Sequence, residues 1–184
     1  LFYEQAVRVP MIVVDPRAQA DATRGSASHA MVEAVDVVPT ILDALGLPGT
    51  PHVVEGRSLV PLLHGQGVSD WRDAAISELD YAFRAARHVL GKGPADCRGW
   101  MVRTERWKYV HWQGMRAQLF DMLHDPDELV DLGDAVGHEA VRAEMAQRLM
   151  EWSLRRKTRT TVDDPTVVRR TEDWKGKGLY IGVW

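Results

Sequence analysis

A single cysteine, Cys97, occurs in 184 residues, so neither an intrachain disulfide nor a cysteine-built metal centre can form. That scarcity is compatible with a reducing, cytoplasmic compartment. Long apolar runs are also missing. The longest, Val9 to Val14, is interrupted by Pro10 and is far short of the roughly 20 residues that span a bilayer, so no membrane association is expected. Charge of one sign is not concentrated either. The net charge is -3 and the sequence pI about 6.2; with basic and acidic residues interspersed, a dedicated nucleic-acid surface is not expected. The exception is the cluster Arg155, Arg156, Lys157 and Arg159. It falls where a helix should end, and cations there complement the negative end of the helix dipole. The chain opens on Leu1-Phe2-Tyr3-Glu4, with neither a Met nor a signal peptide, and reads as a cut inside a longer protein. No repeat or low-complexity tract is visible.

With 45% hydrophobic and 27% charged residues, the composition is that of a folded globular protein. Val7 to Val14 is a β-branched run closed by Asp15-Pro16, the pattern of a strand buried on both faces of a sheet. A surface loop is expected over residues 17–29. Asp36 is placed to cap a helix whose apolar stripe is Ile41, Leu42 and Leu45, and Gly46 ends it. A short helical segment with Pro61 in its first turn follows at Ser58 to Leu63. Ala74 to Leu79 reads as a strand, and residues 81–98 as a loop with one helical turn near 83–89. Trp100, Val102 and Thr104, then Trp107, Tyr109 and His111, alternate along a hairpin over Gly99 to Trp112. Gln118 to Met122 adds a strand before the turn His124 to Glu128. From His138 to Arg156, Val141, Met145, Leu149 and Trp152 recur at helical spacing. The fold class is therefore α/β, passing to α+β in the C-terminal part: elements at the edge of a larger mixed sheet, then a small antiparallel sheet packed on the last helix. The divisions expected are residues 1–70, 71–158 and a tail 159–184. The tail ends in Leu179-Tyr180-Ile181-Gly182-Val183-Trp184, an apolar terminus suited to docking in a homo-oligomer.

Few residues invite a chemical role. Arg8 and Glu4 could hold an anionic ester, although an arginine in an apolar strand is better read as a structural ion pair. Asp36 could ligate a metal with Glu33, but a helix cap is the simpler reading. His111 and His88 are conceivable general acids, but a lone histidine on such segments is more often a packed or hydrogen-bonded residue. The tryptophans Trp100, Trp107, Trp112 and Trp152 sit at core positions rather than on a stacking platform. Tyr81 and Arg84, in the loop after a strand, are the candidates for the rim of a substrate pocket. No catalytic residue and no metal ligand is assigned.

Three ordered segments carry a family resemblance. Phe2-Tyr3-Glu4 with Val7-Arg8-Val9-Pro10-Met11-Ile12-Val13 resembles a sulfatase strand. Val35-Asp36-Val37-Val38-Pro39-Thr40-Ile41-Leu42 with Gly56-Arg57-Ser58-Leu59-Val60-Pro61-Leu62-Leu63 resembles the following helical stretch. Val102-Arg103-Thr104, Trp107-Lys108-Tyr109-Val110, Leu119-Phe120-Asp121-Met122 and Asp125-Pro126-Asp127-Glu128 are similar to the C-terminal antiparallel subdomain. The chain thus resembles the C-terminal portion of a sulfatase-type hydrolase of the alkaline phosphatase superfamily. Leu79 to Arg84, Cys97 to Met101 and Ile181 to Trp184 are most similar to phosphonate monoester hydrolases, which also act on phosphodiesters. The resemblance implies an alkaline-phosphatase-like mixed sheet, a formylglycine nucleophile and a divalent metal (Mn, Ca, Mg or Zn) in the full-length enzyme. The C/S-x-P/A-x-R signature and an Asp-His pair are absent here, so the expected partner is an N-terminal catalytic portion, without which the chain should be inert. The alternative is a non-catalytic assembly or binding module of an oligomer.

Overall fold

The structure, a computed structural model, describes residues 1–172 and 176. The apolar tail expected to dock lies outside the described residues. Two compact units form, one from Leu1–Glu33 with Pro61–Arg155, the other from Ala34–Val60 with the residues from Arg156 onward.

The first unit is organised by a four-stranded antiparallel sheet in the order β1-β2-β3-β4. Its strands are β1 (Ala74–Asp80), β2 (Arg98–Thr104), β3 (Trp107–Trp112) and β4 (Gln118–Asp121). Ile76 faces Val102, Val102 faces Tyr109, and Tyr109 faces Leu119. Because side chains alternate along a strand, these residues share one face. A helix, α5 (Glu139–Arg155), covers that face with Met145, Val141 and Leu149. Val102, Leu119 and Met145 are essentially inaccessible, and each side chain so buried stabilises the fold by about 1.5–3 kcal/mol. The sequence-based placement of the antiparallel sheet on the helix expected from His138 to Arg156 is what the chain adopts.

The opposite face is covered as well. Phe2 packs on Met101 and Val110, with Val7, Leu79 and Trp112 around them. The Phe2 and Trp112 rings lie 5.3 Å apart. Residue 99 must be glycine here, since a Cβ would sit 2.6 Å from the Trp112 ring.

Residues 7–14 depart from expectation. A short helix, α1 (Glu4–Val7), occupies the start, and no strand follows among residues 8–14. A strand needs a neighbour's free backbone groups, and both edges of this sheet are engaged nearby. On β1 the Ile76 amide donates to the Glu33 carboxylate at 2.5 Å. On β4 the Leu119 amide donates to Asp131 at 3.1 Å, and its carbonyl accepts from the Leu132 amide at 2.7 Å. The run is left exposed, with Ile12 at 88% and Val14 at 77%. Arg8 forms no ion pair among the described residues; the ion pair of this segment belongs to Glu4.

The second unit contains α2 (Val37–Ala44) and, in its C-terminal part, the helix Asp164–Thr171. The latter is capped by Asp163, which accepts from the Thr166 amide at 2.9 Å. Asp36 does not cap α2. It continues a 3-10 turn, Ala34–Asp36, into the helix in right-handed conformation, so its carboxylate cannot fold back on the first amides. Instead it is wholly buried and accepts from the Arg57 amide at 2.8 Å. Thr40 completes the tie, donating to the Asp36 carbonyl at 2.6 Å and accepting from the Leu59 amide at 2.9 Å. The stripe expected to be buried is not: Ile41 is 52% and Leu45 66% exposed. The helical turns near Pro61 and in the β1–β2 connection are present as α3 (Val60–Leu63) and α4 (Ala85–Val89).

Candidate functional site

Alternation turns Lys108 of β3 away from the α5 face, which would ordinarily place it in water. Residues 1–8 lie over that face, and the Lys108 side chain is completely inaccessible. A buried ammonium requires compensation for its lost hydration. Glu4 Oε1 and Glu128 Oε1 each stand 2.7 Å from Nζ, and Nζ donates to the Phe2 carbonyl at 3.0 Å. Three oxygens, two of them from carboxylates, thus surround the ammonium. Glu128 Oε2 accepts from the Glu4 amide at 2.6 Å. Arg103, facing Lys108 across the β2–β3 pair, brings Nε to 3.4 Å from Glu4 Oε1. Two cations and two carboxylates balance. For Glu4, burial pushes the carboxyl up, but the hydrogen bond and charge of Lys108, helped by Arg103, outweigh it and hold the group below its ordinary value.

Glu128 reaches this cluster from a backbone with φ of 57°, the left-handed region that glycine favours. The turn that holds it there is built by Asp125, whose carboxylate accepts from the Leu129 and Val130 amides at 3.0 and 2.8 Å and whose carbonyl accepts from the Glu128 amide at 3.1 Å. The cluster clamps the chain's first residues to the sheet. Both of its carboxylates are ion-paired, which leaves neither as a free base. Sequence reasoning missed it because the hairpin pattern reveals the core face only. A lysine between Trp107 and Tyr109 reads as solvent-facing until a cover over the second face is known.

Beside the clamp is a cleft of about 190 Å³ lined by Leu1, Phe2, Tyr3, Val110, Trp112, Gln118, Phe120 and Glu128. Neither proposed rim residue lines it. Tyr81 is buried, edge-on to Trp112 at 5.9 Å. Arg84 is exposed just beyond, its amide donating to the Tyr81 carbonyl at 2.9 Å. His111 is exposed and lies 6.0 Å from Trp100, and His88 is exposed, its Nε2 3.1 Å from Arg87. Trp100, Trp107 and Trp112 are each partly buried. Glu33 is engaged by Ile76 and by Arg72 at 3.3 Å.

Two further carboxylates are strongly acidified. Asp15 accepts from Arg17, bidentate through the guanidinium and again through its amide, and His64 Nε2 lies at 2.9 Å; these contacts, Arg17 foremost, hold the carboxyl far below its ordinary range. Asp121 is lowered to about 2 by the Arg106 guanidinium, with His124 assisting. Both are arginine-paired carboxylates rather than poised acids. Among the described residues no three His, Cys, Asp or Glu side chains form a cluster that could hold a metal ion, so the divalent metal implied by the resemblance has no donor set in them. No helix among them is long and apolar enough to cross a membrane.

Comparison with known proteins gives this sheet, helix and clamp a context. The model of the family "N-sulphoglucosamine sulphohydrolase, C-terminal" matches residues 1–155. The multifunctional alkaline phosphatase superfamily protein PehA of Trinickia caryophylli is 30% identical over 159 residues, 85% of this chain but 30% of its own length. An N-acetylglucosamine-6-O-sulfatase of Bacteroides thetaiotaomicron is 31% identical over 153 residues, covering 81% of this chain and 25% of that protein. Among solved structures, the phosphonate monoester hydrolase of Agrobacterium radiobacter is similar with a TM-score of 0.65 at 34% identity, covering 71% of this chain and 26% of that one. The phosphonate monoester hydrolase of Silicibacter pomeroyi gives a TM-score of 0.68 at 30% identity, covering 74% and 28%. The chain spans under a third of the length of these relatives. It belongs to the sulfatase C-terminal family, within the alkaline phosphatase superfamily that contains sulfatases and phosphonate monoester hydrolases.

Proposed function

We propose that this chain is the C-terminal portion of a metal-dependent hydrolase of anionic esters, phosphonate monoesters and phosphodiesters foremost and sulfate esters as the near alternative, and that it is inert on its own. The observation that carries the reading is a mismatch. The chain is 30% identical to PehA over 85% of its length, yet no three His, Cys, Asp or Glu side chains among its described residues cluster to hold a metal ion. Chemistry of this kind stabilises negative charge building on the transferred group, through a metal ion and fixed cations. The arginines and lysine of the first unit that are paired with carboxylates are committed to structure. What the chain supplies is a scaffold: a sheet closed on one face by α5 and clamped on the other to residues 1–8. The exposed run at residues 9–14 supports this, since a β-branched segment with free backbone groups suits pairing with a sheet contributed by the rest of the enzyme.

The test compares the purified 184-residue chain with the same chain joined to its N-terminal catalytic portion, on p-nitrophenyl phenylphosphonate and p-nitrophenyl sulfate with added Mn²⁺. Turnover is expected from the longer polypeptide alone, with the phosphonate ester preferred. Turnover by the 184-residue chain would sink the scaffold reading. A longer polypeptide active on neither ester would sink the assignment of substrate.

A further inference from the structure

The clamp around Lys108 is aimed at main chain. Nζ donates to the Phe2 carbonyl at 3.0 Å, and the Glu4 amide donates to Glu128 Oε2 at 2.6 Å. The two contacts bracket Tyr3, so they fix the course of the backbone over residues 2–4 as well as the burial of a side chain. Phe2 adds a second hold, 5% exposed and packed on Met101 and Val110. Leu1 is 73% exposed, so the grip begins at Phe2.

Holding a cover on a sheet does not call for charge. Apolar side chains of similar volume often stabilise as well as a buried ion pair or better, and what the charged group can add is a single geometry. Glu128 takes up that geometry from an unfavourable backbone: it is the one non-glycine residue with positive φ, 57°, among the described residues. A backbone so placed persists only where its surroundings over-determine it, and such positions gather where placement matters to function. The Asp125 contacts to the Leu129 and Val130 amides supply that constraint.

We propose that Lys108 and Glu128 are positioning residues for the ester-hydrolysing centre of the complete enzyme, acting through the main chain of residues 2–4 on the segment joined ahead of Leu1. The inference rests on the hydrolase reading above, in which the catalytic portion precedes this chain. Consecutive Cα atoms stand about 3.8 Å apart, so the residue joined to Leu1 lies within about 8 Å of Phe2 and the third such residue within about 15 Å. Over that span the clamp sets where the catalytic portion leaves the sheet and in which direction. A misplacement of about 1 Å at a reacting centre can cost on the order of 100-fold in rate, even when its cause is remote. Loosening the clamp therefore lowers kcat, while substrate binding by groups of the catalytic portion, and with it KM, changes little.

The test uses the longer polypeptide, assayed on p-nitrophenyl phenylphosphonate with Mn²⁺ at a temperature where circular dichroism shows each variant folded. Lys108→Met should lower kcat about tenfold or more and leave KM within about threefold. Glu4→Gln, which leaves Glu128 on Lys108, is the milder variant should Lys108→Met fail to fold, and it too should lower kcat and spare KM. Met145→Ala is the control. It weakens the same sheet from the α5 face, where Met145 packs on Val102, Tyr109 and Leu119, and should leave kcat within about twofold. Amide hydrogen exchange of the segment joined to Leu1 is the second readout, expected to quicken about tenfold in Lys108→Met and not in Met145→Ala. Unchanged kcat in the clamp variants, or an equal loss in Met145→Ala, would overturn the proposal. A wild-type polypeptide that turns over neither this ester nor the sulfate would instead sink the hydrolase reading; the exchange rates then decide the clamp, and unchanged exchange in Lys108→Met overturns it.

Discussion

Replacing Lys108 by Met removes the cation from a site where its partners cannot regain water. Lys108 and the Glu128 side chain are both wholly inaccessible, and the Glu4 side chain is 18% exposed. The methionine fills similar volume, so little cavity forms. What is lost is one charge that two carboxylates and the Phe2 carbonyl face. Breaking a buried ion pair by deleting one partner costs about 3–5 kcal/mol, chiefly because the other charge is stranded. Arg103 remains near Glu4 but is not paired with Glu128, so it cannot repair the deficit. For a chain of this size each kcal/mol moves the melting temperature by about 2–4 °C, which gives a fall of about 6–20 °C. Thermal and urea denaturation at neutral pH, followed by circular dichroism, measure it. Adding Glu4→Gln to the Lys108→Met variant should recover part of the loss, since one stranded carboxylate disappears. The pH dependence has a definite sign. Glu4 titrates below its ordinary 4.5 in the folded chain, so its contribution is full above that value and fades as the pH falls through the lower folded one. A Lys108→Met loss below about 1 kcal/mol, or strictly additive effects of the two substitutions, would refute the argument that these charges depend on one another.

Three other outcomes follow from the geometry. Gly99→Ala drives a Cβ to 2.6 Å from the Trp112 ring and should cost about 1–3 kcal/mol by overpacking, visible as a lower urea midpoint and a changed near-UV tryptophan signal. Asp121, lowered to about 2 by Arg106, contributes stability that is present above its ordinary 3.8 and declines as the pH falls toward 2; Asp121→Asn should flatten that acid limb in a pH series of melts. Asp36→Ala removes a wholly buried carboxylate and leaves the Arg57 amide without its acceptor; it should destabilise the chain by about 1–3 kcal/mol, whereas a residue acting only as an exposed cap would cost about 1.

The antiparallel sheet was legible because each strand carries its own two-residue period. Trp100, Val102 and Thr104 against Trp107, Tyr109 and His111 define both register and face, and Val141, Met145 and Leu149 supply a helical stripe of matching length. Local periodicity of this kind needs no knowledge of distant contacts. The clamp was not legible for the opposite reason. Glu4 and Glu128 are 124 residues apart when the former's amide meets the latter's carboxylate, and nothing in the neighbourhood of Lys108 announces a cover over the second face of the sheet. Asp36 failed differently: its position ahead of Val37-Val38-Pro39 satisfies the capping rule, yet the Ala34–Asp36 turn enters the helix without the extended cap conformation, a backbone choice that residue type does not encode. Tyr81 and Arg84, adjacent in sequence terms, take opposite environments within three residues.

The apolar run before Asp15 carries the last step. Its pattern is that of a strand buried on two sides, and its surroundings here bury it on neither. Local sequence preference and tertiary position disagree here, whereas the remaining strands agree on both counts, and under the function proposed above the partners of this run come from the rest of the enzyme. The same holds for Ile41 and Leu45 on α2, an apolar stripe turned to water. The matched relatives are more than three times the length of the region they share with this chain, which is where partners for both surfaces would be found. On this argument, pairing of residues 9–14 should appear as slowed amide hydrogen exchange in the longer polypeptide relative to the 184-residue chain, by about tenfold or more for each paired amide; equal exchange in the two would show that the run is a solvated connection and that its β-branched composition has another cause.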